Sequence, residues 1–79
     1  MNIAQKITAI VAEQLDIDPS TVQLDDALTD LGADSLAQIE VVLQVEESFN
    51  IDIDDEEIEG IRTVRDAVVL VEKKLARAA

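Results

Sequence analysis

The sequence predicts an all-α fold, a small bundle of three main helices plus one short helix, with a long loop between helices one and two. Apolar residues recur at the helical interval in three segments, no segment alternates as a half-buried strand does, and cap or breaker residues separate the segments. At 79 residues and 8.6 kDa, the chain has material for one domain, residues 1–79, with a thin core. No internal repeat or interdomain linker divides it.

The first helix is predicted over Ile3 to Leu15, because Ile3, Ile7, Ile10, Val11 and Leu15 share one face and Asn2 is available as N-cap. Asp16-Ile17-Asp18-Pro19-Ser20-Thr21 then breaks the repeat and opens a long connection to Gly32. Its apolar residues, Val22, Leu24, Leu28 and Leu31, are expected to fasten it to the helices, since long structureless loops are uncommon in compact domains. The second helix is predicted from Ser35 to Phe49, with Asp34 complementing the positive end of the helix dipole and Asn50 at its close. A short turn of helix follows around Asp55 to Ile58. Gly60 and then Thr63, a suitable cap, precede the last helix, Val64 to Ala76, whose buried stripe is Val64, Val68, Val71 and Leu75.

Composition narrows the function. A net charge of −12 argues against nucleic acid or an anionic membrane as the main partner and favours basic protein surfaces. The chain has no cysteine and no histidine, which removes disulfides, the usual zinc centres and any Ser-His or thiolate nucleophile. The N-terminal residues form no signal peptide and no later segment approaches a membrane span, so a cytoplasmic location is the expectation. Asp52, Asp54, Asp55, Glu56 and Glu57 lie close together but lack the glycine and spacing of an EF-hand loop. They read as a solvated face, and no metal site is assigned.

The segment Gly32-Ala33-Asp34-Ser35-Leu36 sets a serine where an acidic loop becomes a helix. Two readings of Ser35 compete. Ser35 and Gln38 have the Ser-x-x-Gln spacing of a capping box, in which the serine oxygen accepts a backbone N–H and the glutamine reaches back. Alternatively the hydroxyl is a point of covalent attachment; without an activating base in this chain, another protein must then supply the chemistry.

The second helix carries two apolar groups. On a wheel of about 100° per residue, Val41, Val42, Val45 and Phe49 fall in one sector, and Leu36, Ile39 and Leu43 nearly opposite, flanked by Glu40, Glu46 and Glu47. The second group is either covered by the loop and short helix or exposed as an apolar strip with an acidic rim. The exposed form is suited to partners with an apolar groove bordered by Lys or Arg.

These residues closely resemble the acyl carrier proteins over essentially the whole chain. Gly32-Ala33-Asp34-Ser35-Leu36 is similar to that family's phosphopantetheine-attachment motif, and Glu40, Glu46-Glu47, Phe49, Asp55-Glu56-Glu57, Ile61, Thr63 and Val64 follow in step. The resemblance implies a non-enzymatic carrier whose cofactor, 4′-phosphopantetheine, is joined covalently to Ser35 by a phosphopantetheinyl transferase using Mg²⁺ and coenzyme A. It implies acyl cargo held as a thioester and delivered to acyl-transferring and synthase enzymes with basic docking patches. The partner-recognition positions would be Asp34, Leu36, Ile39, Glu40, Leu43, Glu46 and Glu47, on a monomer. The cargo route is fatty-acid, polyketide or related biosynthesis. Ala37 replaces an acid common in fatty-acid carriers, Asp54 a common proline, and Gly60 and Arg62 also depart from the usual pattern. The alternative of another class is an unmodified acidic adaptor, in which Ser35 only caps and the strip binds a basic partner.

Overall fold

The computed structural model describes residues 2–78, so residues 1 and 79 of the expected domain lie outside the described residues. Four α-helices run in the order α1 (Ile3–Leu15), α2 (Ser35–Phe49), α3 (Asp55–Glu59) and α4 (Val64–Ala78), with one 3₁₀ turn at Pro19–Thr21. The first two match the expected spans. The last starts as expected and runs two residues past the expected end.

Local chemistry fixes the helix ends. At α1 the Gln5 N–H donates to Asn2 Oδ1 at 2.8 Å, and the Asn2 N–H donates to Gln5 Oε1 at 3.0 Å. At α4, the Thr63 N–H donates to Asp66 Oδ2 and the Asp66 N–H to Thr63 Oγ1, so Thr63 caps as expected. Helices α1 and α2 close on Asp16 and Asn50, both left-handed, with φ of 56° and 55°. Asp and Asn tolerate that conformation better than most side chains.

α1 is the central element, packing against both α2 and α4. Its Ile7 and Val11 meet a core whose fully buried members include Val41 and Val45 of α2 and Val64 and Val71 of α4. Phe49 is only half buried, and the Lys6 ammonium lies 5.8 Å from its ring centre, within cation–π range.

The long loop is laced down on both sides. Leu28 is 2% exposed and Val22 is buried, while Leu24 and Leu31 pack against the core at its edge. The Leu28 N–H donates to the Arg62 carbonyl, the Val64 N–H to the Asp26 carbonyl and the Arg65 N–H to the Leu24 carbonyl. These bonds surround a single antiparallel bridge between Ala27 and Thr63. Arg65 Nε adds a 2.8 Å ion pair to Asp25 across the same seam. The loop is therefore held at the entrance to α4, which fixes where its far end delivers the chain to α2.

Candidate functional site

The approach to Ser35 is a tight turn followed by an anchor. The Leu31 and Ala33 N–H groups both donate to the Leu28 carbonyl, and Gly32 between them has φ of 98°. No heavy atom lies within 4 Å of a Cβ built on Gly32, so the backbone angle, and not lack of space, favours glycine. Ala33 is buried, and the next three residues, Asp34, Ser35 and Leu36, are all exposed. The chain is pinned and then surfaces at the serine.

The capping reading of Ser35 is corrected by the structure. The N-cap of α2 is Asp34, whose Oδ1 accepts from the Ala37 N–H at 2.8 Å, and Ser35 is the first helical residue. With the frame moved by one residue, the position from which a capping side chain would reach back belongs to Ala37, which has no polar group, and not to Gln38. Asp34 wins because its carboxylate accepts strongly and also places negative charge at the positive end of the helix. The Ser35 hydroxyl is left outside the capping bond and faces solvent.

Beside it, α2 exposes the second apolar group. Leu36 is 64% exposed, Ile39 46% and Leu43 58%, so the loop and α3 leave the strip uncovered. Val41, Val42 and Val45 are buried on the opposite side, as the wheel predicts. Glu40 and Glu47 are exposed along the strip, whereas Glu46 is half buried. Glu46 Oε2 accepts the Ile53 N–H at 2.9 Å, a bond that ties the α2–α3 connection to α2. That structural task was not visible in the sequence, where Glu46 stood only as a rim acid.

The departures near α3 also gain a physical account. Asp54 caps α3: the Glu57 N–H donates to Asp54 Oδ1 at 2.8 Å and the Asp54 N–H to Glu57 Oε1 at 3.1 Å. Proline at that position would forgo both the side-chain acceptor and the N–H. Glu57 also takes a 2.8 Å contact from Lys74, and this bond together with the Asp54 N–H holds its carboxyl below the ordinary range. Asp66 is held low by the Thr63 and Arg62 N–H groups, and Asp25 by the Arg65 guanidinium. These shifts belong to caps and ion pairs away from Ser35. Among the described residues no group of three or more Asp or Glu is arranged to hold a metal ion, and no helix is long and apolar enough to cross a membrane.

Ser35 is thus an exposed residue at the head of α2, next to an exposed apolar strip with acids along it, an arrangement open to another protein. Comparisons with known proteins give the class. The model of the family described as "Phosphopantetheine attachment site" matches residues 5–71. A curated acyl carrier protein of Prochlorococcus marinus (strain MIT 9515) is 49% identical over 73 residues, spanning 91% of each chain. The crystal structure of the Thermotoga maritima acyl carrier protein superposes with a TM-score of 0.82 at 36% identity, over 94% of this chain and 87% of that one. The solution structure of holo acyl carrier protein from Geobacter metallireducens gives 0.84 at 26% identity, over 99% and 91%. This chain belongs to the acyl carrier proteins. Its cofactor is 4′-phosphopantetheine, and its role is that of a carrier working with synthases and acyltransferases, not of an enzyme.

Proposed function

We propose that Ser35 is the attachment point of the phosphopantetheine arm, within an acyl carrier domain formed by residues 1–79. The observation that carries this reading is the exposed hydroxyl at the first position of α2, left outside the cap that Asp34 makes. The residues present fit the group. Ser35 is flanked by exposed residues on both sides, and the helix N-terminus favours the negative phosphodiester. When bound, the arm supplies a terminal thiol on which acyl groups are held as thioesters.

The chain's own residues position and present. Asp34 holds the first turn of α2, which keeps the serine at the end of a rigid element. Leu36, Ile39 and Leu43 offer apolar contact to a docked partner, and Glu40, Glu47 and the outer part of Glu46 oppose Lys or Arg at its rim. The partners are a phosphopantetheinyl transferase and acyl-transferring or synthase enzymes of fatty-acid, polyketide or related biosynthesis. Tethering raises the effective concentration of cargo at whichever enzyme is docked. The protein acts as a cytoplasmic monomer.

The test is intact mass before and after incubation with a broad-specificity transferase, coenzyme A and Mg²⁺, alongside Ser35→Ala. One phosphopantetheine gained by the parent and none by the variant is the expected result. Gain by the Ser35→Ala chain would move the site, and no gain with several transferases would make this protein an unmodified adaptor.

A further inference from the structure

The head of α4 is closed by the loop as much as by the helix itself. A helix begins with N–H groups that find no partner within it, and here those of Thr63, Val64, Arg65 and Asp66 are all bonded. The Thr63 N–H donates to Asp66 Oδ2 at 3.0 Å and the Asp66 N–H to Thr63 Oγ1 at 3.1 Å. The Val64 and Arg65 N–H groups donate to the loop carbonyls of Asp26 and Leu24, at 3.2 and 2.8 Å. The loop makes these bonds only where Thr63 and Asp66 set the first turn.

One peptide group joins this turn to the modification site. The Arg62–Thr63 peptide is planar, so its N–H and C=O point to opposite sides: the N–H to Asp66 Oδ2, and the C=O to the Leu28 N–H at 2.9 Å. The Arg62 N–H also donates to Asp66 Oδ2, at 3.1 Å. One carboxylate oxygen therefore holds two successive peptides and fixes where the Arg62 carbonyl points. Leu28 passes the constraint on, since its side chain is fully packed and its carbonyl accepts the Ala33 N–H at 3.0 Å. Ala33 is buried, and Asp34 and Ser35 follow it directly. A continuous line of hydrogen bonds thus runs from the Asp66 carboxylate through the Arg62–Thr63 peptide, Leu28 and Ala33 to the start of α2.

We propose that Asp66 is a positioning residue for the modification of Ser35: by orienting the Arg62–Thr63 peptide it sets, through Leu28 and Ala33, where the serine hydroxyl stands when a transferase is docked. The inference rests on Ser35 being the attachment point. In the transfer the Ser35 oxygen bonds to the phosphorus that bears the pantetheine arm of coenzyme A. The bond from that phosphorus to the adenosine bisphosphate half breaks, and the hydroxyl proton passes to a base of the transferase. Entering and leaving oxygens lie roughly in line, so a displaced hydroxyl slows the step even where docking is unchanged. The α2 strip proposed for docking is anchored separately, by the buried Val41, Val42 and Val45 on the opposite side of the helix. Because the carrier is the transferase's substrate, a variant that is merely less stable presents less folded substrate, which raises the apparent KM and leaves kcat in place. A misplaced hydroxyl lowers kcat.

The experiment compares Asp66→Ala, Asp66→Asn and Thr63→Val in the unmodified full chain, with a broad-specificity transferase, coenzyme A and Mg²⁺ and the carrier as the varied substrate. Asp66→Ala should lower kcat about fivefold. Both N–H groups fall on the one oxygen Oδ2, so the amide oxygen of Asp66→Asn can accept both, and its kcat should stay within about twofold of the parent. Thr63→Val removes the Oγ1 acceptor at the same cap but leaves the Asp66 bonds, and should keep the parent's kcat. The second readout is the ¹⁵N amide spectrum of the same unmodified chains, in which Asp66→Ala should shift residues 28 and 33–36 as well as 62–67. Circular dichroism checks folding; if Asp66→Ala does not fold, smaller shifts at residues 28 and 33–36 in Asp66→Asn carry the test. A parent-like kcat for Asp66→Ala, an equal fall in Thr63→Val, or shifts confined to residues 62–67 would overturn the proposal. The spectra need no modification and the mass assay with Ser35→Ala needs no Asp66 variant, so failure of this inference and failure of the Ser35 assignment are read apart.

Discussion

Replacing Asp34 or Ser35 by alanine separates two roles that a sequence pattern runs together. Asp34 Oδ1 satisfies the Ala37 N–H at 2.8 Å, and Ser35 takes no part in that bond. Losing an aspartate N-cap costs about 1 kcal/mol, within a range of about 0.5–2, and part of that is the favourable charge at the helix N-terminus. In a domain of this size about 1 kcal/mol corresponds to a fall of roughly 4–8 °C in the melting temperature. Asp34→Asn keeps the acceptor and loses the charge, so its cost is smaller, on the order of a few tenths of a kcal/mol. Ser35→Ala removes an exposed hydroxyl outside the cap and should stay within about 0.5 kcal/mol of the parent. Thermal and urea unfolding of the unmodified protein, followed by circular dichroism, measures all three. A Ser35→Ala cost equal to that of Asp34→Ala would refute the assignment of the cap and restore the serine as a helix-starting residue.

Leu28→Ala is expected to cost about 2–5 kcal/mol, as for a core leucine, although Leu28 sits in a loop. Against about 4–12 kcal/mol in total for a chain of this length, chemical denaturation should show a large loss. Glu46→Ala should lower stability by about 1–3 kcal/mol by leaving the part-buried Ile53 N–H without its acceptor, while Glu47→Ala should leave stability nearly unchanged. Equal melting temperatures for the two would remove the structural role given to Glu46. The carboxyls of Asp25, Glu57 and Asp66 are held below the ordinary range, so their contribution is complete above the unfolded value of about 4 and is lost as pH falls through the folded values. Asp66→Asn should therefore be less stable than the parent at pH 7 and lose less on acidification below about pH 4; parallel acid limbs would contradict this.

Much of the fold was legible because helix ends here are written in local chemistry. Asn2, Asn50 and Thr63 act at the ends where their residue types predict, and the wheel separated the buried valines of α2 from its exposed strip. Ser35 was placed one step wrong in the capping frame because Ser-x-x-Gln matches a spacing, and spacing alone does not register that a stronger acceptor stands one residue earlier. The seam from Leu24 and Asp26 to Val64 and Arg65 was invisible for another reason. Its bonds join residues about forty positions apart, and neither end has a distinguishing pattern. Glu46 escaped similarly, since its partner is the backbone of Ile53, seven residues on.

The two sides of α2 explain how one short helix can serve stability and recognition at once. Val41, Val42 and Val45 secure it to the core, and the Asp34 cap and the Glu46 bond hold its two ends. None of these anchors draws on Leu36, Ile39 or Leu43, so substitutions in the exposed strip leave the anchors in place. Leaving three large apolar side chains in water invites association between copies, and the net charge of −12 opposes it. The same repulsion weakens the compact state of a thin core. The ion pairs from α4 to Asp25 and Glu57 act against that repulsion where they occur, tying the last helix to the loop and to α3. Basic residues concentrated on the final helix thus offset acidity inside the molecule, while Glu40 and Glu47 beside the exposed strip of α2 form no ion pair among the described residues.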